Sequence, residues 1–224
     1  MARLWLLTAL LAAALLGWAP PVAAADGCSD LGGTRTEDGL CRTHEARTDY
    51  ELNIAFPVDY PDQGAITEFV TTTRDRFVET AQDRRAHNRP YRMEIQATEH
   101  RTETTRSVAF EVYQNVGGAH PSSWYQTFNY DLARQRPLTF ETLFAPETRP
   151  LDAIYPLVQR ALADRLDVAD PVSPKAGLDA ANYQSFAVTP EELIFYFDRG
   201  VLMAGAAGAH AVALPRDQLP PLAL

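Results

Sequence analysis

From Tyr50 apolar residues alternate with polar ones as Tyr50, Leu52, Ile54 and Phe56, and the run stops at Pro57. A period of two places these side chains on one face of an extended chain, which predicts a half-buried strand. After Tyr60-Pro61-Asp62-Gln63 the period lengthens. Ile66, Phe69, Val70, Thr73, Phe77 and Ala81 recur at three and four, with Thr71, Arg74, Asp75 and Arg84 opposite, so an amphipathic helix is predicted over 63–86. Period two returns at Tyr91, Met93, Ile95 and Ala97 and again at Val108, Phe110 and Val112, with the polar stretch Glu99 to Arg106 as a connection.

Gly117-Gly118 interrupts this pattern before two further strands, Trp124 to Tyr130 and Pro137 to Phe140, joined through Asp131 to Arg136 as an antiparallel meander. A second helix fits 151–166, where Leu151, Ile154, Tyr155, Val158, Ala161 and Leu162 share a face. Pro150 stands at its start and Pro156 in its first turns, where a missing N–H costs least. Val168 to Asp179 reads as a loop, and Tyr183 to Val188, Leu193 to Phe197 and Ala211 to Leu214 as three more strands. Strands in runs, two main helices between them and no βαβ alternation predict an α+β fold with a mostly antiparallel sheet. No linker or repeat divides the chain, so residues 26–224 are expected to form one domain.

The first residues stand apart. Met1 to Arg3 are followed by an apolar run from Leu4 to Trp18, then Pro20-Pro21 and the small residues Ala23-Ala24-Ala25. This is the layout of a secretory signal peptide, residues 1–25, cleaved after Ala25. A retained anchor is the competing reading, but the run is short for a span of about 20 residues. A lipid anchor on Cys28 is opposed by Asp26 in the preceding small-residue box. Export implies an oxidising compartment, where Cys28 and Cys41, the only cysteines, are expected to form a disulfide. A metal or redox role has neither CxxC nor a neighbouring histidine pair behind it.

Composition narrows the partners. With 46% hydrophobic and 22% charged residues the chain is that of a folded protein, and its net charge of −9, or −10 once Arg3 is removed, repels nucleic acid. Beyond the signal no apolar run is long enough for a bilayer, so a secreted protein, free of the membrane after cleavage and monomeric, is expected. An acidic protein attracts basic partners, and binding to an extracellular protein predicts an exposed apolar patch with an acidic rim.

For catalysis the residues offer little. No G-x-S-x-G elbow occurs, and only Ser122 and Ser123 lie beside a histidine in a glycine-containing turn, Gly117-Gly118-Ala119-His120-Pro121. An esterase would have to assemble Ser122 or Ser123 with His120 or His210 and an acid such as Asp198. The plainer reading makes each of them structural, with glycines at positive φ, His120 ordering the loop, His210 at a strand edge and Asp198 opening a turn. The five histidines form no HxH, HExxH or HxxxH, and phosphate-binding glycine loops are lacking, so neither metal nor cofactor is expected. Trp124-Tyr125, Phe128, Tyr130 and Phe195 to Phe197 read as core, or as a contact or carbohydrate-binding surface where their rings face outward.

Several short motifs occur together: Tyr60-Pro61-Asp62-Gln63, Thr73-Arg74-Asp75 before Phe77, Tyr113-Gln114-Asn115 before Gly117-Gly118-Ala119-His120-Pro121, and Ala176-Gly177-Leu178-Asp179 leading to Asn182-Tyr183-Gln184 and Phe186-Ala187-Val188. With the cysteine pair they resemble the secreted mycobacterial immunogenic protein family used as a tuberculosis diagnostic antigen, from about Cys28 to Leu219. The stretch from the Gly-Gly-Ala-His turn through Tyr130-Asp131 to Leu143-Phe144 is also similar to the extracellular domain of the RsiV anti-sigma factor, which binds lysozyme. That resemblance implies a curved sheet with helices against it and a released, non-enzymatic recognition module. A relative of the antigen family has been described as a secreted esterase, which implies the alternative of a serine carboxylesterase on short-chain esters.

Overall fold

The computed structural model describes residues 27–224; the signal segment and its cleavage site lie outside them. The fold is α+β, and the described residues form ten strands in two sheets. The larger sheet runs in sequence order through β1 (Thr34–Arg35), β2 (Leu40–Ala46), β3 (Tyr50–Pro57), β4 (Tyr91–Arg101), β5 (Thr105–Asn115), β6 (Ser122–Asp131) and β7 (Arg136–Pro137). All its pairings are antiparallel except β3 with β4. Between those two strands the 20-residue helix α1 (Gln63–Gln82) carries the chain back to the starting end, so they pair in parallel. This single βαβ unit is not apparent from the sequence pattern.

Helices α2 (Phe140–Leu143), α3 (Pro150–Leu166) and α4 (Pro174–Gly177) follow, then β8 (Phe186–Val188), β9 (Glu192–Phe197) and β10 (His210–Pro215) in a smaller antiparallel sheet ordered β10-β9-β8. Each sheet has its own core. Ile66, Val70, Phe77 and Ala81 of α1 pack on Leu52, Ile54, Met93, Ile95, Phe110 and Val112 of the large sheet. Ile154, Val158 and Leu162 of α3 pack on Phe195, Phe197, Val212 and Leu214 of the small one.

The two sheets meet through polar side chains. β8 is one edge of the small sheet and packs against β5 and β6, on the face of the large sheet opposite α1. Its free backbone groups are satisfied there: Val188 N–H donates to Ser107 Oγ at 3.0 Å, Phe186 N–H to Thr127 Oγ1 at 3.2 Å, and Asn129 Nδ2 donates to the Phe186 carbonyl at 2.8 Å. A buried edge strand needs such partners, because an unpaired backbone group there costs about 1–3 kcal/mol.

The remaining differences from the sequence pattern have physical causes. β2 leaves no period-two signal because its inward residues, Cys41 and Thr43, do not read as an apolar stripe. The polar stretch Glu99 to Arg106 lies mostly in strands β4 and β5 and their tight turn. Arg106 is buried on β5, bonded to Glu99, to Asp59 Oδ1 at 3.1 Å and to the Asp59 carbonyl at 2.7 Å, with its guanidinium 5.9 Å from the Tyr60 ring centre. Of Pro137 to Phe140 only Pro137 is strand, since a Thr139–Thr142 capping box starts α2. Tyr183 closes a 3₁₀ turn before β8. The Cys28–Cys41 disulfide is formed and pins the N-terminal turn to β2.

Candidate functional site

β6 decides where the candidate residues go, because alternate side chains of a strand point to opposite faces. Trp124, Gln126 and Phe128 face α1, while Tyr125, Thr127 and Asn129 face the small sheet. Ser122 takes the first side and is exposed; Ser123 takes the second and is half-buried. Two serines adjacent in sequence therefore serve different surfaces.

Asp198, just beyond β9, reaches the Ser123 side of β6. Its Oδ1 accepts the Tyr125 backbone N–H at 2.7 Å, and above it Tyr196 meets Tyr125 with ring centres 5.1 Å apart. Over this part of its length β6 has no strand on its outer edge, since β7 pairs only with Tyr130 and Asp131. The carboxylate thus caps an open edge strand. Burial pushes its pKa up, and the Tyr125 N–H only partly opposes that.

His210 lies opposite Phe197 on β10, and both are buried toward the α3 core. It is therefore on the face of the small sheet away from Asp198. Its Nε2 is buried and has no partner. Burial first, and the Arg165 charge second, hold its pKa down. His120 is exposed on the turn before β6. Ser123 borders a depression of about 290 Å³ with Pro121, Arg199, Gly205 and Gly208, into which no imidazole projects. Ser123 and Asp198 thus lie on the large-sheet side of the small sheet and His210 on its α3 side, while Ser122 and His120 are exposed. Among the described residues no three His, Cys, Asp or Glu side chains gather in a metal-holding group.

The glycine turn is ordered differently from expectation. Gly117 has φ 73°, and a Cβ there would meet the His87 carbonyl at 2.8 Å and the Tyr91 ring at 2.9 Å; Gly118 has no positive φ and open space around it. Asn115 Oδ1 accepts the Gly117 N–H at 3.1 Å and Asn88 Nδ2 donates to the Gly117 carbonyl at 3.2 Å, so two asparagines hold the loop rather than His120.

A larger concavity lies on the other face. α1 packs over β3 and β4 and stops short of the sheet's β5–β6 side, leaving a groove of about 820 Å³. Phe69 bridges part of the gap, 5.2 Å from Phe110 and 5.8 Å from Phe128 between ring centres. Trp124, Gln126 and Gln114 form one wall, and Glu68, Thr72, Thr73 and Arg76 the other. The rim carries one acid and one base, not the acidic border expected from the net charge. The Trp124 and Phe128 rings are visible in the sequence, but the uncovered face depends on where α1 sits, which no local pattern records.

Residues 141–217 match the family described as Protein of unknown function (DUF3298). The chain is 45% identical over 219 residues to "Esterase Rv3036c" of Mycobacterium tuberculosis, covering 96% of each protein. It is 36% identical over 196 residues to "Immunogenic protein MPT64" of the same species, covering 86% of each. Its fold is similar to the crystal structure of a DUF3298 family protein from Pseudomonas aeruginosa, with a TM-score of 0.52 at 14% identity, covering 80% of this chain and 93% of that one.

Proposed function

The chain belongs to the mycobacterial immunogenic protein family of MPT64 and Rv3036c, and from that premise we propose that it is an extracellular recognition module that acts by binding and not by catalysis. The observation that carries this reading is the groove between α1 and β5–β6: an open, preformed concavity with aromatic rings in its floor and hydrogen-bonding side chains on both walls, the usual make-up of a binding site. The Cys28–Cys41 disulfide supports an extracellular location. No helix among the described residues is long and apolar enough to cross a membrane.

A second reading is ester hydrolysis. Two observations favour it: the 45% identical relative is named an esterase, and Ser123 shares a side of β6 with Asp198. Against it, a serine nucleophile needs an imidazole within hydrogen-bond reach, and His210 is buried on the far face of the small sheet. Intact mass spectrometry after exposure to a fluorophosphonate probe separates the two. Recognition predicts no adduct on the folded protein. A stoichiometric adduct on Ser122 or Ser123, lost in His120→Ala or His210→Ala, would make hydrolysis the function.

A further inference from the structure

Resting on the recognition reading, we infer that the groove between α1 and β5–β6 binds a linear oligosaccharide. Seven of its twelve lining side chains are polar and five are apolar, and the two kinds interleave. Along β6 the sequence Trp124, Gln126, Phe128 places an amide between two rings on one face, at a strand rise of about 3.4 Å per residue. Across the groove Glu68, Thr72, Arg76 and Thr80 recur every fourth residue of α1, a row about 18 Å long.

That arrangement suits sugars chemically. A pyranose has a C–H face that packs on an aromatic ring and a rim of hydroxyls that needs planar donors and acceptors beside it. Trp124 and Phe128 supply the rings; Gln114, Gln126, Glu68 and Arg76 supply the edge contacts. Among the described residues Glu68 and Arg76 have no ion-pair partner, so both remain available to hydroxyls. The volume of about 820 Å³ falls within the range of about 300–1,000 Å³ for ligand sites.

Other occupants fit less well. An acyl chain would strip water from the Gln114, Gln126 and threonine groups and return no hydrogen bonds. A basic protein helix would need a continuous apolar stripe and an acidic rim, and the rim carries Arg76 as well as Glu68.

The test uses a reporter already in the groove. The sequence has three tryptophans, and Trp124 is the one outside the N-terminal segment, the other two being Trp5 and Trp18. Among the described residues both cores are built from positions within 28–224, all of which the chain lacking residues 1–26 keeps. Its tryptophan emission would be titrated with chitohexaose, cellohexaose and hexagalacturonate. A saturable shift with at least one of them, weakened about tenfold in Gln126→Ala and in Phe69→Ala, is the expected result; by calorimetry Trp124→Ala should lose at least as much. Gln126 is part-exposed and its substitution leaves both cores intact, so it guards against a mere folding failure in the aromatic variants.

No shift with any of the three sugars on folded protein would overturn the ligand class. A shift with lysozyme and with no sugar would overturn it too, while leaving recognition in place. A fluorophosphonate adduct would remove the recognition reading itself, and is read separately by mass.

Discussion

The edge cap on β6 makes a prediction that separates a structural from a catalytic Asp198. Its Oδ1 accepts the Tyr125 N–H at 2.7 Å, at a site where β6 has no neighbouring strand. Asp198→Ala removes the acceptor. Hydrogen bonds to charged acceptors contribute about 1.5–3 kcal/mol, and a half-buried N–H regains part of that from water, so a loss of about 1–2 kcal/mol is expected. In a chain of this size that lowers Tm by about 3 °C for each kcal/mol. Asp198→Asn keeps the oxygen and discards the charge.

The sign of the pH effect follows from the direction of the shift. Burial raises the folded pKa of Asp198 above its unfolded value, so its contribution is fully present below the unfolded pKa and is lost as pH rises through the folded one. At pH 7 the asparagine variant should therefore equal or exceed the parent, and the advantage should vanish as pH falls through the carboxylate range. Urea unfolding of the three proteins at pH 7 and pH 4 measures this. A neutral Asp198→Ala, or an Asp198→Asn as damaging as Asp198→Ala, would refute the edge cap, since either result would mean that the Tyr125 contact is not what the carboxylate is for.

Replacing both Cys28 and Cys41 by serine opens a link spanning 13 residues and should cost roughly 3 kcal/mol, seen as a lower urea midpoint that reductant lowers no further. A Cβ on Gly177 would stand 2.0 Å from Cδ2 of Tyr155, whose hydroxyl donates to the Val172 carbonyl at 3.1 Å. Gly177→Ala should therefore destabilise by about 1–3 kcal/mol, and unchanged calorimetric unfolding would contradict that packing. Burial lowers the pKa of both His100 and His210, and each has a buried Nε2 without a partner. Their stabilising effect is present above the unfolded pKa of about 6.5 and lost as pH falls through the lowered folded values, so the His100→Gln, His210→Gln double variant should lose less stability than the parent between pH 7 and pH 5.

Those elements are legible whose inward residues are large and apolar. Leu52, Ile54 and Phe56 announce β3, Ile66 to Ala81 announce α1, and Val108, Phe110 and Val112 announce β5, because burial of such side chains sets both the period and the element. Legibility ends where a polar group is buried and satisfied by partners far along the chain. Arg106 looks like solvent-facing charge until Asp59, 47 positions earlier, folds against it. Ser107, Thr127 and Asn129 look like surface until β8 arrives to use them. In each case the signal is a pairing between distant segments, and a local pattern holds only one half of it.

The site divides along the same line. Ser122 and Ser123 beside His120 suggest a nucleophile when adjacency in sequence is the available measure of distance, yet a strand sends neighbouring side chains apart. That alternation gives β6 two separate roles. Its even positions, Trp124, Gln126 and Phe128, line the groove, while its odd positions, Tyr125, Thr127 and Asn129, fasten the small sheet to the large one. The second role supports the first. A strand with an open outer edge would fray, but each odd residue is tied to Asp198 or Phe186 on the far face, so the rings on the near face are held in place before any ligand arrives. Substitutions that loosen the odd face, Asp198→Ala among them, should therefore weaken groove binding without touching the groove, and titration of Trp124 emission in that variant would show it; unchanged affinity would mean that α1 alone holds the rings.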